Sequence, residues 1–339
     1  MTLHGYTLRC ESCRCIANTA AADAAAARGH ITAVTNPAAG QDHRAVYMLY
    51  VVYELDLIRA LVAALRLVEL GSQHQCVVMT HTGADCTAAI GKYNTTALRS
   101  RLNVHFDILP DGISGVFLKP PAFIRTARWA KAWPKVAMPT LHRTGYSKLV
   151  LLDVDMFLEE NLDELFQLDT NGATPWIVAK GHAQYMGLNS GLLFLMPSAA
   201  MELRMLASID AIVAQTLSHN ASSSVFDGSK MRISDQEFYS QMFFPAGDSP
   251  EVGASSPPPS VLLSPQYNLP TSDCGGQTQW SPKNWHLFHH KPWRAKHQID
   301  FPLCAQTLVA RWKTAFTAVV ATLQQLGVDL ADVEPKFWE

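Results

Sequence analysis

The run Lys148-Leu149-Val150-Leu151-Leu152-Asp153-Val154-Asp155-Met156 restricts the choice of fold more than any other stretch. Its unbroken series of large aliphatic side chains fits a strand buried on both faces, and such strands occur where helices cover both sides of a mostly parallel sheet. The run ends in two aspartates one residue apart. Strand side chains alternate between faces, so Asp153 and Asp155 should point the same way at the end of a strand leaving the core. Two carboxylates side by side repel one another unless a cation sits between them. A hard divalent ion that also holds a phosphate suits that geometry. Solvated strand ends and helix caps produce the same Asp-x-Asp pattern, so the metal reading depends on what lies elsewhere in the chain.

The flanking sequence supports a parallel sheet. Residues 46–52 read as a first strand. Residues 55–70 carry Leu57, Leu61, Leu65 and Val68 at helical spacing, with Gly71 as a stop signal. Residues 76–79 read as a second strand, 84–93 as a second helix and 104–108 as a third strand. This β-α-β-α-β alternation implies parallel strands joined by crossover helices, with ligands gathering at the carboxyl ends of the strands. Further on, 161–166 reads as a short helix, 176–179 and 191–196 as strands, 199–217 as a long helix and 303–326 as an amphipathic helix. The serine-rich stretch near Ser222 and the Ser/Pro-rich stretch 255–259 read as loops. The expected organisation is an alanine-rich N-terminal extension at 1–42, disordered or used for targeting, a catalytic domain at 43–300, and a helical segment at 301–339.

Composition excludes several classes. A net charge of −2 over 339 residues leaves no electrostatic footprint for nucleic acid. No apolar run approaches membrane-spanning length, so no membrane span is expected. Seven cysteines in a chain this long do not form a disulfide framework. Cys76, Cys86, Cys274 and Cys304 are scattered, as in a reducing compartment. Cys10, Cys13 and Cys15 lack a second ligand pair at zinc spacing and read as free thiols. The expected location is cytoplasmic, with organelle targeting by the extension left open.

Four segments in order resemble the glycogenin-like family 8 glycosyltransferases over roughly residues 44–295. Leu151-Leu152-Asp153-Val154-Asp155 followed by Asn161-Leu162-Asp163-Glu164-Leu165-Phe166 is similar to the family's Asp-x-Asp segment. Leu188-Asn189-Ser190-Gly191-Leu192-Leu193-Phe194 resembles its Asn-Ser-Gly strand, and Ser234-Asp235-Gln236-Glu237-Phe238 its Asp-Gln segment. His286-Leu287-Phe288-His289-His290-Lys291-Pro292-Trp293 looks like its His…Lys-Pro-Trp signature.

The resemblance implies a single GT-A-type α/β domain, with a Rossmann-like, mixed but mostly parallel sheet and a small acceptor-side sheet. It implies a retaining, metal-dependent hexosyltransferase that moves a sugar from a UDP-sugar (UDP-glucose or related) to an unknown acceptor, in an unknown oligomeric state. Asp153, Asp155 and His286 would be the metal ligands, with His289 and His290 competing for the third place. Such a mixed donor set suits Mn²⁺, with Mg²⁺ possible. Asp235 and Gln236 would be catalytic, close to the sugar's reactive carbon, or would cap a helix. Asn189, Ser190 and Gly191 would meet the sugar or form a turn, with Gly191 allowing close backbone approach. Lys291 would bind phosphate. Lys135 and Asp227 match further binding positions, and Asp153 would touch the donor as well as the metal. An exposed helix lysine is the alternative for Lys135.

Two departures stand out. His289 and His290 occupy the place of the family's glycine, and Tyr50-Val51-Val52 replaces its Thr-Asn pair. Both favour the rival reading, a catalytically inactive relative that binds a nucleotide-sugar or a partner protein. A nucleotidyltransferase would need a glycine-rich phosphate loop after the first strand, and residues 47–56 contain no glycine.

Overall fold

The computed structural model describes residues 44–82, 84–110, 113, 115–119, 124, 127–168, 176–180, 188–222, 235–236, 238–239, 260–263, 265–271, 274, 282–287, 291–293 and 301–331. The N-terminal extension, with Cys10, Cys13 and Cys15, lies outside the described residues. The chain divides into two compact units, one of residues 43–109, 146–196 and 252–339, the other including 110–145 and 197–251.

The described residues of the first unit form ten strands. In chain order they are β1 (Arg44–Tyr50), β2 (Gln75–Thr80), β3 (Val104–Ile108), β4 (Tyr146–Leu152), β5 (Met156–Leu158), β6 (Trp176–Lys180), β7 (Leu188–Leu195), β8 (Ser260–Leu263), β9 (Leu269–Pro270) and β10 (Asn284–His286). A seven-stranded sheet runs β3-β2-β1-β4-β7-β6-β8, and a three-stranded sheet runs β5-β10-β9. β3, β2, β1 and β4 are parallel, and β7 runs against both β4 and β6. The sheet is therefore mixed and mostly parallel. Strand order reverses where β1 meets β4, which is where open α/β sheets place their ligands.

The helices α1 (Glu54–Glu69), α2 (Thr87–Tyr93) and α3 (Thr96–Leu102) follow β1 and β2. α1 buries Leu57, Ile58, Leu61 and Val62, with Glu54 and Asp56 in its first turn and Arg66 in its last, both favourable to the helix dipole. Gly71 ends it with a left-handed φ of 73°, and Ser72 N reaches back to Leu67 O. The helix expected at 84–93 starts only at Thr87, because Cys86 N bonds Val52 O and keeps the preceding turn tied to the sheet. α3 was not foreseen. Thr95 caps it by accepting from Leu98 N, and Asn103 closes it in the left-handed region at φ 46°. The short helix expected at 161–166 is a 3₁₀ turn, Asp163–Gln167. Asp163 accepts hydrogen bonds from Tyr47 Oη, Ser72 Oγ and Gln73 N, tying the turn before β2 to β1.

The second unit contains α4 (Gly115–Leu118), α5 (Ala127–Ala132), a 3₁₀ segment (Trp133–Thr144) and α6 (Ala199–Ser222). Pro139 inside the 3₁₀ segment has no N–H to give to an α-helical ladder. Gly145 ends the segment at φ 83°. Buried Glu202 of α6 pairs with Arg143 Nη2 at 2.5 Å and His142 Nε2 at 3.0 Å, fastening the two elements together.

The last helix, α7 (Leu303–Gln325), belongs to the first unit and shares its core. Its Trp312 is fully buried, stacked on Phe316 and tilted against Trp293. Cys304 in its first turn is disulfide-bonded to Cys274, with Cα atoms 5.8 Å apart. This corrects the expectation of unpaired cysteines, and it removes the premise on which a reducing, cytoplasmic location was argued. Cys76 and Cys86 are free and buried. No helix among the described residues is long and apolar enough to cross a membrane.

The disulfide closes a loop with a sequence separation of 30 residues. Reduction, or Cys304→Ser, is expected to cost about 2–4 kcal/mol of unfolding free energy. Urea titration with and without reductant measures this, and coincident curves would show that the link carries no stability.

Candidate metal centre

The strand that leads to the aspartates ends before either of them, so alternation along it cannot set their directions. β4 stops at Leu152, and residues 153–155 form a turn into β5. Asp153 N donates to Gly191 O at 2.9 Å, and Met156 N donates to Asp153 O at 3.2 Å. The two carboxylates converge because the chain turns between two sheets, not because they share a strand face. β10 lies antiparallel to β5 with His286 opposite Met156, and Leu287 N donates to Asp155 O at 2.8 Å. This pairing carries the imidazole to the aspartates across 131 residues of sequence. His286 Nε2 lies 3.3 Å from Asp155 Oδ1 and 3.9 Å from Asp153 Oδ2. One ligand atom from each of the three residues lies within 4.8 Å of the others. His289 and His290, the competing candidates, lie outside the described residues.

The imidazole is held from behind. His286 Nδ1 is 3.2 Å from Asn268 Oδ1. Asn268 Nδ2 donates to Asn189 Oδ1 at 3.1 Å, and the same oxygen accepts Gly191 N–H at 2.7 Å. A Cβ on Gly191 would lie 2.6 Å from His286 Nδ1 and 2.8 Å from Asn189 Oδ1, and would also strike His286 Cε1. Gly191 therefore does allow a close approach, and the group that approaches is the histidine ring. Asn189 turns its oxygen to that network, and Ser190 is buried beside it on β7. Asn268 was not anticipated, since an asparagine before Leu269-Pro270 reads as an ordinary turn residue.

Charge is concentrated around Asp155, which is only 5% exposed. Burial pushes its carboxyl up, but the Lys291 ammonium and the His286 ring beside it outweigh that effect and hold it well below the usual carboxylate range. Lys291 Nζ lies 2.6 Å from Asp155 Oδ2 and 5.4 Å from the Trp293 ring centre. Arg59 sits over the same ring, 3.9 Å from the Trp293 centroid, and pairs with Asp56 at 2.7 Å. Asp56 and Arg59 were missed, because an i,i+3 pair in an amphipathic helix looks like a surface salt bridge. Lys291 takes Oδ2 of Asp155, while Oδ1 faces His286 Nε2. The convergent donor set of two carboxylates and one imidazole fits a divalent ion of the Mn²⁺ or Mg²⁺ kind.

The second unit holds the other candidates. Lys135 Nζ lies 3.6 Å from Asp235 Oδ2, and both residues are buried. Lys135 is thus not an exposed helix lysine. Tyr239 Oη donates to Lys135 O at 3.0 Å, and burial together with the Asp235 charge raises the phenol well above its ordinary value. Phe238 packs edge-on against Trp133 at 5.4 Å. Asp235 and Gln236 are themselves helical. Asp227 lies outside the described residues. At the carboxyl ends of β1 and β2 in the first unit, Tyr50 Oη and His81 Nδ1 are 2.5 Å apart.

The Gly191 contact yields a direct expectation. Gly191→Ala should displace the His286 ring and weaken Mn²⁺ binding by about tenfold or more with the fold retained. Titration of Mn²⁺ followed by electron paramagnetic resonance, alongside circular dichroism, checks this; wild-type affinity in the variant would refute it.

No protein-family model matches the chain, and no curated protein matches it in sequence. Solved structures do resemble it. The bifunctional glycosyltransferase WbbM aligns with a TM-score of 0.51 at 13% identity, over 84% of this chain and 53% of WbbM. An active-site mutant of LgtC aligns with a TM-score of 0.50 at 12% identity, over 81% of this chain and 95% of LgtC. GlyE of Streptococcus pneumoniae TIGR4 follows with a TM-score of 0.49 at 14% identity, over 84% of this chain and 65% of GlyE. The chain thus spans about half of WbbM and less than two thirds of GlyE. Identities this low speak to fold and not to chemistry. With the mixed, mostly parallel sheet, the WbbM and LgtC likenesses show that the chain has the GT-A-type glycosyltransferase fold.

Proposed function

We propose that the protein is a glycosyltransferase of the glycogenin-like kind, a metal-dependent, retaining hexosyltransferase that uses a UDP-sugar such as UDP-glucose. The observation that carries this reading is the convergence of Asp153, Asp155 and His286 at the carboxyl end of β4, beside the point where strand order reverses. A cation held there by two carboxylates and an imidazole would meet the need of a diphosphate leaving group, whose charge must be balanced as the glycosidic bond breaks. LgtC and WbbM share the architecture and are named as glycosyltransferases, which supports the reading.

Asp153, Asp155 and His286 would hold Mn²⁺ or Mg²⁺, which when bound supplies positive charge to the diphosphate. Asp155 is already kept ionised by its neighbours, so it is in the state a ligand needs. Lys291 would contribute a point charge for phosphate once its hold on Asp155 is shared with the donor. The roles of Asp235 and Gln236 as the catalytic pair, and of Lys135, Asp227, Asn189, Ser190 and Gly191 in substrate binding, rest on the motif resemblance. The Lys135–Asp235 ion pair supports an ionised carboxylate at Asp235, suited to facing positive charge that develops on the sugar. The acceptor would be a glycan, a protein or a small molecule. Residues 43–300 would form the catalytic region and 301–339 a helical segment packed on it.

Turnover of UDP-glucose, UDP-galactose, UDP-N-acetylglucosamine and UDP-glucuronate, with and without Mn²⁺, tests the proposal. At least one donor is expected to turn over only with metal, and Asp155→Ala should lower that rate by about a hundredfold or more with the fold intact. Unchanged turnover in the variant would sink the metal assignment. Tight UDP-sugar binding without any turnover would favour the inactive relative.

A further inference from the structure

We propose that Asn268 is a positioning residue that fixes the tautomer of His286 and so directs the Nε2 lone pair at the two aspartates. One group in this chain of contacts cannot be reversed. The backbone N–H of Gly191 is a donor only, so the atom of Asn189 that it meets at 2.7 Å must be the amide oxygen. That oxygen also meets the Asn268 side chain at 3.1 Å, which must therefore present its NH₂ group. The opposite end of the Asn268 amide is then an oxygen, 3.2 Å from His286 Nδ1. An oxygen that only accepts requires a proton on Nδ1, so neutral His286 keeps Nε2 bare.

The reverse arrangement is worse at two places. Turning the Asn268 amide would set two oxygens against each other where it meets Asn189, and would leave Nδ1 as the acceptor. Asn268, Asn189 and His286 are 2%, 8% and 5% exposed, so water has little access to repair such a mismatch. Polarity thus passes from one backbone amide of β7 through two side-chain amides to the ring on β10. Orientation of a ligating imidazole through its second nitrogen is a general device in metal sites. The residue that performs it in this chain lies outside all four sequence motifs, just before β9.

The inference rests on the metal-dependent reading, and Mn²⁺ alone is the probe. Its affinity is measured by electron paramagnetic resonance for wild type, His286→Ala, Asn268→Leu and Asn268→Asp. His286→Ala and Asn268→Leu are both expected to weaken binding by about 10–100-fold. Asn268→Asp still accepts the Nδ1 proton but sets a carboxylate oxygen against Asn189 Oδ1, so it should recover only part of the affinity lost in Asn268→Leu. If wild type binds no Mn²⁺, or His286→Ala binds as wild type does, the metal reading itself fails and the proposal with it. If His286→Ala weakens binding and Asn268→Leu does not, the metal reading stands and the role of Asn268 is overturned. Long-range ¹H–¹⁵N spectra of histidine-labelled wild type decide the question without any variant. His286 should carry a proton on Nδ1, and a ring with Nδ1 unprotonated would refute the proposal.

Discussion

Asp155 keeps a negative charge in a buried place, and much of the first unit is arranged around that fact. An isolated ion there would be costly, so its oxygens must be matched by positive charge and hydrogen bonds. Lys291 meets one oxygen, and the other lies 3.3 Å from His286 Nε2, where the proposed cation would supply further positive charge. Lys291 is backed by Trp293, Trp293 by Arg59 on one side and Trp312 of α7 on another. The C-terminal helix therefore supports the charged cluster as well as the core, and the Cys274–Cys304 link ties its first turn to the segment after β9. Removing one partner from such a cluster leaves an unmatched charge, a costlier change than the net worth of the pair.

The three-stranded sheet explains why the histidine arrives where it does. β5 continues from the aspartate turn, β10 pairs with it, and β9 places Asn268 at its own leading edge. His286 then lies against Gly191 of the large sheet, where any side chain would collide with the ring. One glycine thus links the two sheets of the unit through a contact that has no tolerance for an added carbon.

Much of this was legible in the sequence because apolar periodicity is local. β1, α1, β2, β3 and β4 follow from runs and spacings of Leu, Val and Met within a few residues of one another. The aspartates do converge, but not for the reason that the sequence suggests: strand alternation does not extend past Leu152, and the turn that brings them together is set by hydrogen bonds to Gly191 and Asp153 carbonyls. What stayed hidden depends on distant partners. Cys274 and Cys304 gave no spacing signal, Arg59 looked like a surface residue, and nothing near Asn268 revealed its bond to a ring 18 residues away. The Lys135–Asp235 pair was legible as two motif residues, while its existence as a buried ion pair was not.

The central claim is that Asp153, Asp155 and His286 Nε2 form one cation site. Anomalous diffraction from crystals soaked in Mn²⁺ addresses it most directly. The account predicts a single strong peak bonded to an oxygen of each aspartate and to Nε2, with Nδ1 still bonded to Asn268. Absence of a peak there, or a peak on other ligands with these three residues unmoved, would contradict it.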